Sequence, residues 1–281
     1  MTEISRRMAL TDIATAGTAI AAAGSAGAET TDKSLSGKVA VVTGARRNQG
    51  RAYAVQLAKM GADIVLHHHR PDGAKDTEET ARMVADAGGR TVVGMGDLGD
   101  PATAARLFDL AEAEFGGADI LIHTAGAIIK KPVAAFTDDD FERLLNDNTR
   151  TTFYAMREGA RRLRDGGRIV AVGTSLTAGT APGYAVYAGT KAPVEEFTRM
   201  MARELGSRRI TVNNVAPGPL DNSFFHAAET PKTAAFAASL APSGRLGTEA
   251  DIVPVVASLA TAEGGWTNGQ TLFINGGYVT R

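Results

Sequence analysis

The sequence predicts an α/β protein built on one doubly wound parallel sheet. Short apolar runs without polar alternation recur along the chain, as expected of strands that are buried on both faces. Longer segments with helical spacing separate these runs, and right-handed crossovers would place those helices on both faces of the sheet. The 281 residues, of which 44% are hydrophobic, are enough for one domain with a sizeable core.

The apolar runs and the helical segments alternate from Lys38 onward. The first strand, 39–42, is followed by a helix whose residues Tyr53, Leu57 and Met60 share one face, and Gly61 ends that helix. The further predicted strands are 62–66, 91–93, 119–122, 168–172, 210–215 and 271–274. The predicted helices are 50–60, 77–87, 102–115, 141–163, 184–205 and 250–259.

One long segment, 217–247, interrupts this alternation. It is rich in Pro, Gly and Ser and has a helical pattern near 233–240. A long insertion after the carboxyl end of a strand usually covers a ligand, so we expect this segment to cover a binding site.

Composition and charge exclude several classes of protein. The net charge of −1 gives no field that would favour nucleic acid or an anionic membrane. The absence of cysteine excludes disulfides, thiolate nucleophiles and cysteine metal sites. We therefore expect a small-molecule ligand rather than a nucleic acid or a membrane.

Residues 1–34 differ from the rest of the chain, which we assign to one domain, 35–281. Arg6 and Arg7 precede a mildly apolar stretch, 13–28, that ends in Ala26-Gly27-Ala28. This resembles a twin-arginine export signal, which would place the protein in the periplasm. The alternative is a disordered cytoplasmic extension, because such small residues gain little from burial. The stretch is too weakly apolar to predict a membrane span.

The turn after the first strand predicts a phosphate site. It reads Thr43-Gly44-Ala45-Arg46-Arg47-Asn48-Gln49-Gly50, with one glycine for a tight turn and a second where the helix starts. The amino end of that helix offers N–H groups and partial positive charge to a pyrophosphate. A glycine-rich turn alone is a weak signal, but its place after the first parallel strand strengthens it.

A tyrosine and a lysine four residues apart predict acid–base chemistry. Tyr187 and Lys191 share one helix face, and a nearby ammonium lowers the pKa of a phenol. Such a pair suits proton exchange with a carbonyl or an alcohol. Thr174 and Ser175 end the fifth strand, at the edge where sheets of this class bind ligands. Without that context, the pair would more often be a solvated helix face.

With these motifs, the chain resembles the short-chain dehydrogenase/reductase family over residues 36–279, which implies a Rossmann fold. The matching motifs, in order, are Thr43-Gly44 with Gly50, Asp97-Leu98, His123-Thr124-Ala125-Gly126, Asn148, Tyr187 with Lys191, Pro217-Gly218, Gly269-Gln270 and Gly276-Gly277. The chain departs from the family in having Asn48 at the middle glycine and His123-Thr124 in place of two asparagines. Asparagine tolerates left-handed backbone, so we expect the turn to survive.

The resemblance implies roles for five residues. Tyr187 would exchange a proton with the substrate oxygen, Lys191 would bind the nicotinamide ribose, and Asn148 would hold a relay water. The substrate-orienting hydroxyl is Thr174 by gapless spacing, or Ser175 if the next loop is one residue shorter, which the family's preference for serine favours. The family commonly forms tetramers, so a homotetramer is expected.

The charge pattern favours NADP(H) over NAD(H). The second strand ends in His67-His68-His69-Arg70 without an acid, and Arg46 and Arg47 lie in the adjacent turn. Arginine suits a 2′-phosphate, whereas an acid there would suit free ribose hydroxyls. The predicted cofactor residues are Gly44, Arg46, Arg47, Asn48, Gln49, Gly50, His69, Arg70, Asp97, Leu98, Ala125, Gly126, Tyr187, Lys191, Pro217 and Gly218.

The expected function is hydride transfer between NADP(H) and a ketone or secondary alcohol. Two rivals stay open: a reductase of 3-oxoacyl groups on an acidic carrier, for which Arg161, Arg162 and Arg164 could form a basic patch, and a non-catalytic NADP sensor. No metal site is expected at the histidines. The acidic run 138–140 is expected to cap a helix. The expected specificity residues are Leu176, Thr177, Tyr184, Leu220, Phe224 and Phe225.

Overall fold

The computed structural model describes residues 32–280 and contains one parallel sheet there. The sheet has seven strands in the order β3-β2-β1-β4-β5-β6-β7, which confirms the predicted doubly wound arrangement. The strands are β1 (Val39–Thr43), β2 (Asp63–His68), β3 (Thr91–Met95), β4 (Ala118–His123), β5 (Leu163–Val172), β6 (Thr211–Pro217) and β7 (Thr271–Ile274).

Ten α-helices surround the sheet in the part of the chain that the structure describes. They are α1 (Asn48–Lys59), α2 (Ala74–Asp86), α3 (Pro101–Phe115), α4 (Asp138–Leu144), α5 (Thr151–Arg162), α6 (Ala185–Lys191), α7 (Pro193–Glu204), α8 (Ser223–His226), α9 (Pro231–Leu240) and α10 (Glu249–Ala260).

Alternate residues of each strand pack into two separate cores. In β1, Ala40 and Val42 face the core that α1, α2 and α10 cover. Val39 and Val41 face the core that α3, α5 and α7 cover. The central strands are therefore buried on both faces, which is why they lack polar alternation.

Two predicted helices are each divided in the structure. Segment 141–163 consists of α4, a π-helical turn (Leu145–Arg150) and α5. Segment 184–205 consists of α6 and α7, with Pro193 at the start of the second helix. Proline is tolerated in a first helical turn, where its missing N–H would have no intrahelical partner.

The acidic run forms the first turn of α4 and takes part in its cap, as predicted. The Thr137 hydroxyl accepts from the Asp140 N–H at 3.1 Å, and the Asp140 carboxylate accepts from the Thr137 N–H at 3.0 Å. This reciprocal pair is a capping box.

The insertion after β6 is closed at its base. Leu220 and Gly247 form an isolated parallel bridge, with α8 and α9 between them. The predicted helix near 233–240 corresponds to α9, which starts two residues earlier, at Pro231.

Residues 1–31 of the predicted N-terminal segment lie outside the described residues. Within residues 32–280, no helix is long and apolar enough to cross a membrane.

Gly50 is required by the packing of α1 against the end of β1. A Cβ at Gly50 would lie 2.3 Å from the Gly44 carbonyl oxygen, so Gly50→Ala must displace backbone. We expect a loss of about 1–3 kcal/mol in the free energy of unfolding, as for other overpacked sites. The measurement is chemical denaturation.

Gly189→Ala is the matched control, because a Cβ at this exposed position in α6 meets nothing within 4 Å. It should be neutral, or stabilising by up to about 1 kcal/mol from helix propensity. Equal losses in both variants would contradict the packing argument.

Candidate functional site

A cavity of about 780 Å³ opens at the carboxyl edge of the sheet. The first turn, the loops after the central strands and the insertion after β6 line it. All predicted catalytic and cofactor residues except Asp97 and Asn148 are among its lining residues. The structure therefore brings residues that are up to 174 positions apart, Gly44 and Gly218, to one cavity.

The glycine-rich turn holds the start of α1 close to the sheet. Gly44 has a φ of +64°, and a Cβ there would lie 2.8 Å from the Thr124 hydroxyl. Asn48 has a φ of +50°, which confirms that asparagine takes the left-handed conformation here. Its side chain also contacts the Ser223 hydroxyl of the insertion, at 3.1 Å. The first-turn N–H groups of α1 have no intrahelical acceptor, so the turn can bind an anion.

The cofactor end of the cavity is predominantly basic. Arg46, Arg47, His69 and Arg70 line it, with Asp72 as the nearby acid. β2 ends at His68 without a carboxylate, as the sequence predicted. The charges at this end therefore favour a phosphate over free hydroxyls.

Of the predicted adenine-side pair, Leu98 lines the cavity and Asp97 does not. The Asp97 carboxylate accepts from the Gly99 N–H at 2.7 Å and lies 3.7 Å from His69 Nδ1. Asp97 thus fixes the loop after β3 and lies next to His69, at the margin of the basic cofactor end.

His67 has a role that the sequence did not reveal. Its Nδ1 accepts from the Gly44 N–H at 3.3 Å, and its Nε2 contacts the Gly96 carbonyl oxygen at 2.9 Å. Burial lowers its pKa to about 4, although the Gly96 hydrogen bond opposes this. The neutral ring therefore links the first turn to the loop after β3. Only its position at the end of a buried strand hinted at this contact.

His123 replaces a family asparagine and supports the sheet. Its Nδ1 lies 3.0 Å from the Thr43 hydroxyl, which also accepts from the Thr124 N–H at 3.1 Å. Burial, reinforced by the charge of Lys191, lowers the pKa of His123 to about 3. At this departure from the family pattern, a neutral histidine therefore joins β1 to β4.

Tyr187 and Lys191 lie buried on α6, beside the end of β5. The Lys191 ammonium donates to the Val172 carbonyl oxygen at 2.8 Å. A Cβ at Gly126 would lie 3.1 Å from Lys191 Nζ, so this glycine leaves room for the lysine. Burial lowers the pKa of Lys191 to about 8.

The pKa of Tyr187 is raised overall in this structure, whereas the sequence predicted that a neighbouring ammonium would lower it. Burial raises the pKa of Tyr187 to about 12, and a hydrogen bond with Thr174 offsets part of that rise. Desolvation dominates because a charged phenolate would lose its hydration at this buried position. Tyr187 is therefore a protonated phenol at neutral pH.

The two candidate hydroxyls, those of Thr174 and Ser175, contact different groups in the structure. Thr174 lies close enough to Tyr187 to lower the pKa of the phenol, and both residues line the cavity. The Ser175 hydroxyl donates to the Ala216 carbonyl oxygen at 2.8 Å and accepts from Asn275 at 3.0 Å. These contacts turn Ser175 toward β6 and leave Thr174 beside Tyr187, and the identity of the substrate-orienting hydroxyl stays a prediction.

Asn148 lies fully buried in the π-helical turn behind the cavity. Its Oδ1 accepts from the Ala127 N–H at 2.9 Å, and its Nδ2 donates to Ala127 O and Thr190 Oγ1, both at 3.1 Å. The amide thus ties the loop after β4 to α6. A π-turn is often found at a functional site.

The insertion and neighbouring loops form the other end of the cavity. Of the predicted specificity residues, Thr177 does not line the cavity; its hydroxyl donates to Thr174 O at 2.9 Å. The others all do: Leu176, Tyr184, Leu220, Phe224 and Phe225. Two charged residues that the sequence reading missed, Lys130 and Glu229, also lie here. They are 99 positions apart and carried no local signal.

No group of three or more metal-ligating side chains occurs in residues 32–280. His67 and His68 instead contact backbone, and His69 faces Asp97.

Comparisons with known proteins agree on the family. A family model described as enoyl-(acyl carrier protein) reductase matches residues 44–279. An NADPH-dependent aldehyde reductase-like chloroplast protein of Arabidopsis thaliana is 38% identical, covering 87% of this chain and 95% of its own. A hydroxynaphthalene reductase-like protein of Metarhizium majus is 38% identical, over 91% of this chain and all of its own.

A solved structure has the same fold. It belongs to a protein from Burkholderia cenocepacia described as a dehydrogenase, with bound NADP. The two superpose with a TM-score of 0.85 at 36% identity, covering 90% of this chain and 97% of the other. With the fold, the site geometry and these matches in agreement, the chain belongs to the short-chain dehydrogenase/reductase family of oxidoreductases.

Proposed function

We propose that the chain transfers a hydride between NADP(H) and a ketone or secondary alcohol, with Tyr187 as the proton donor and acceptor. The observation that carries this proposal is that Thr174, the buried Tyr187 and Lys191 line one cavity of about 780 Å³ together with the glycine-rich turn. Two hydroxyl donors at one point suit a carbonyl oxygen that gains negative charge.

The described residues fit NADP(H). A Cβ at Gly44 or Gly50 would collide with neighbouring protein atoms, so glycine is what lets the turn and α1 pack this closely, and the amino end of α1 suits a pyrophosphate. Arg46, Arg47 and Arg70 suit a 2′-phosphate. The B. cenocepacia structure contains NADP, and the Arabidopsis relative is named NADPH-dependent, which supports the same choice here.

When bound, the cofactor supplies or accepts the hydride, and the protein positions the substrate and moves the proton. Thr174 holds the substrate oxygen beside Tyr187, whose phenol donates its proton during reduction. Lys191 lies one helical turn away, where its ammonium can bind a ribose hydroxyl. Asn148 secures the loop that carries Ala127, and its part in a water relay stays a prediction.

The acyl-carrier alternative has little support at the predicted basic patch. Each of its three arginines is paired with acid: Arg161 with Glu158, Arg162 with Asp109 and Glu112, and Arg164 with Asp119. The sensor alternative would not need the Tyr187–Lys191 pair. A small ketone is therefore the better-supported substrate.

The test uses NADPH and NADH titrations with a panel of ketones. We expect tighter binding of NADPH, and turnover that Tyr187→Phe reduces by about 10²–10⁴-fold, as for loss of a general acid. Thr174→Val should also lower kcat, because it removes the second donor to the substrate oxygen.

Ser175→Ala is the control, since its hydroxyl contacts Ala216 and Asn275 rather than Tyr187. It should mainly lower the melting temperature. Binding of NADPH without any turnover, unaffected by Tyr187→Phe, would move the assignment to a sensor.

The exposed face of α5 and α7 supports a homotetramer. Phe153 and Met200 are more than two-fifths exposed there, and the rings of Phe153 and Phe197 lie 5.9 Å apart. Exposed apolar patches of this kind often mark interfaces.

We expect light scattering to give the mass of four chains, and Phe153→Asp to lower it. Met83→Asp, on the exposed face of α2, should leave the mass unchanged. A monomeric wild type would contradict the proposal.

We further propose that residues 1–34 act as a twin-arginine signal, on the sequence pattern alone. Fused to a reporter in a bacterial host, the segment should direct it to the periplasm. Replacing Arg6 and Arg7 with lysine should keep the reporter in the cytoplasm. Cytoplasmic reporter from the unaltered segment would favour the simple extension instead.

A further inference from the structure

A buried ion pair lies at the insertion end of the cavity and has no part in the proton transfer. Lys130 Nζ contacts Glu229 Oε2 at 2.5 Å, and the side chain of Glu229 is only 4% exposed. The Tyr184 hydroxyl donates to the other oxygen, Glu229 Oε1. The Glu229 carboxylate therefore joins the insertion to two other parts of the chain, the loop that carries Lys130 and the loop that carries Tyr184.

These groups form one polar end in a cavity whose walls are otherwise largely apolar there. Lys130, Tyr184, Glu229 and Thr233 all line the cavity. The apolar lining at this end comes from Ile128, Leu176, Phe224, Phe236 and Leu240. A polar cluster is costly to bury without a function or full pairing, and this cluster faces the ligand space.

The cluster lies one aromatic ring away from the reacting hydroxyl. The rings of Tyr184 and Tyr187 pack edge to face, with centroids 5.9 Å apart and an interplanar angle of 62°. Lys130 Nζ lies 5.1 Å from the centroid of the Tyr184 ring. A substrate bound at Tyr187 and extending along Tyr184 would therefore reach Lys130 and Glu229.

The chemistry of the pair matches a neutral hydroxyl. Glu229 takes one of the three N–H donors of the Lys130 ammonium, and the Lys130 side chain keeps 23% of its surface exposed. Burial acts to raise the pKa of Glu229, but hydrogen bonds from Lys130, Thr233 and Tyr184 lower it, so the carboxylate is ionised. The pair has no net charge. A hydroxyl can accept from the ammonium and donate to the carboxylate at once.

We propose that Lys130 and Glu229 form a second polar subsite, which binds a hydroxyl group of the ketone substrate away from its reacting carbonyl. The preferred substrates are then uncharged hydroxyketones. In these, a ring, or a chain about as long as a ring, separates the carbonyl oxygen from the hydroxyl oxygen. This inference rests on the proposed ketone reduction in the same cavity, because Tyr187 defines where the carbonyl binds.

The test compares 2-tetralone with 6-hydroxy-2-tetralone. The hydroxyl of the second compound is remote from the carbonyl and not conjugated with it. Wild type should favour the hydroxyketone by about tenfold or more in kcat/KM, as expected for a hydrogen bond to a charged group. The double variant Lys130→Gln/Glu229→Gln keeps hydrogen-bonding groups without charge, and it should lose most of that ratio.

Lys131→Gln is the matched control. Lys131 forms an ion pair with Asp140 but does not line the cavity, so the ratio between the two ketones should stay as in wild type. If the double variant lowers activity equally on both ketones, the ion pair only holds the insertion in place and the subsite is overturned. A preference for a carboxylate-bearing ketone over the hydroxyketone would overturn it as well.

Binding separates this inference from the proposed function. With NADP bound, so that no reduction can occur, the dissociation constants of both tetralones can be measured by calorimetry. Suppose that neither ketone is turned over, but that wild type binds the hydroxyketone more tightly than 2-tetralone and the double variant does not. The proposed ketone reduction is then contradicted, whereas the subsite is supported. Equal binding of the two ketones by wild type overturns the subsite.

Discussion

The close approach of α1 to the end of β1 is the contact on which the site depends. The Gly50 backbone lies so near the Gly44 carbonyl that no side chain fits between them. This distance brings the amino end of α1 to the carboxyl edge of the sheet. His67 and Thr124 then pack against the same turn, so the loops after β2 and β4 take their positions from it. A surface suited to a phosphate therefore results from this backbone packing together with the side chains that hold the turn.

The same edge of the sheet sets the electrostatics of the reacting groups. Strand-end carbonyls bind the side chains that approach them: Val172 binds Lys191, and Ala216 binds Ser175. Lys191 is held in place by a structural hydrogen bond before it contacts any ligand. Because burial affects both members of the pair, Tyr187 stays protonated and the pKa of Lys191 falls toward neutrality. Positioning and desolvation therefore matter more here than direct attraction between the two side chains.

The sequence was sufficient for the fold because burial leaves a strong local pattern. Strands such as β1 are apolar at every position, and the helix spacing around Tyr53 and Leu57 is clear. The Tyr187–Lys191 pair was also local, being one helical turn apart. The hydroxyl was harder to assign, since consecutive residues at a strand end point in opposite directions and one position decides between Thr174 and Ser175.

Other features depend on tertiary contacts that no local pattern records. The division of segment 141–163 by a π-turn follows from Asn148 bonding to Ala127, a residue on a different loop. The pKa of Tyr187 depends on how deeply α6 is buried, which spacing does not reveal. The contact between Lys130 and Glu229 joins a loop to an insertion whose path is not encoded by periodicity.

The bridge between Leu220 and Gly247 has a consequence for how such a protein can change. The insertion leaves the body and returns to it at neighbouring positions, so its interior contributes nothing to strand pairing. Loop length costs little free energy once the ends are held together. The segment can therefore gain, lose or exchange residues while the sheet and the acid–base pair stay intact. Sequence changes within this segment can therefore alter substrate preference while the fold is kept. The positions next to Leu220 and Gly247 are suitable junctions for exchanging the insertion between relatives.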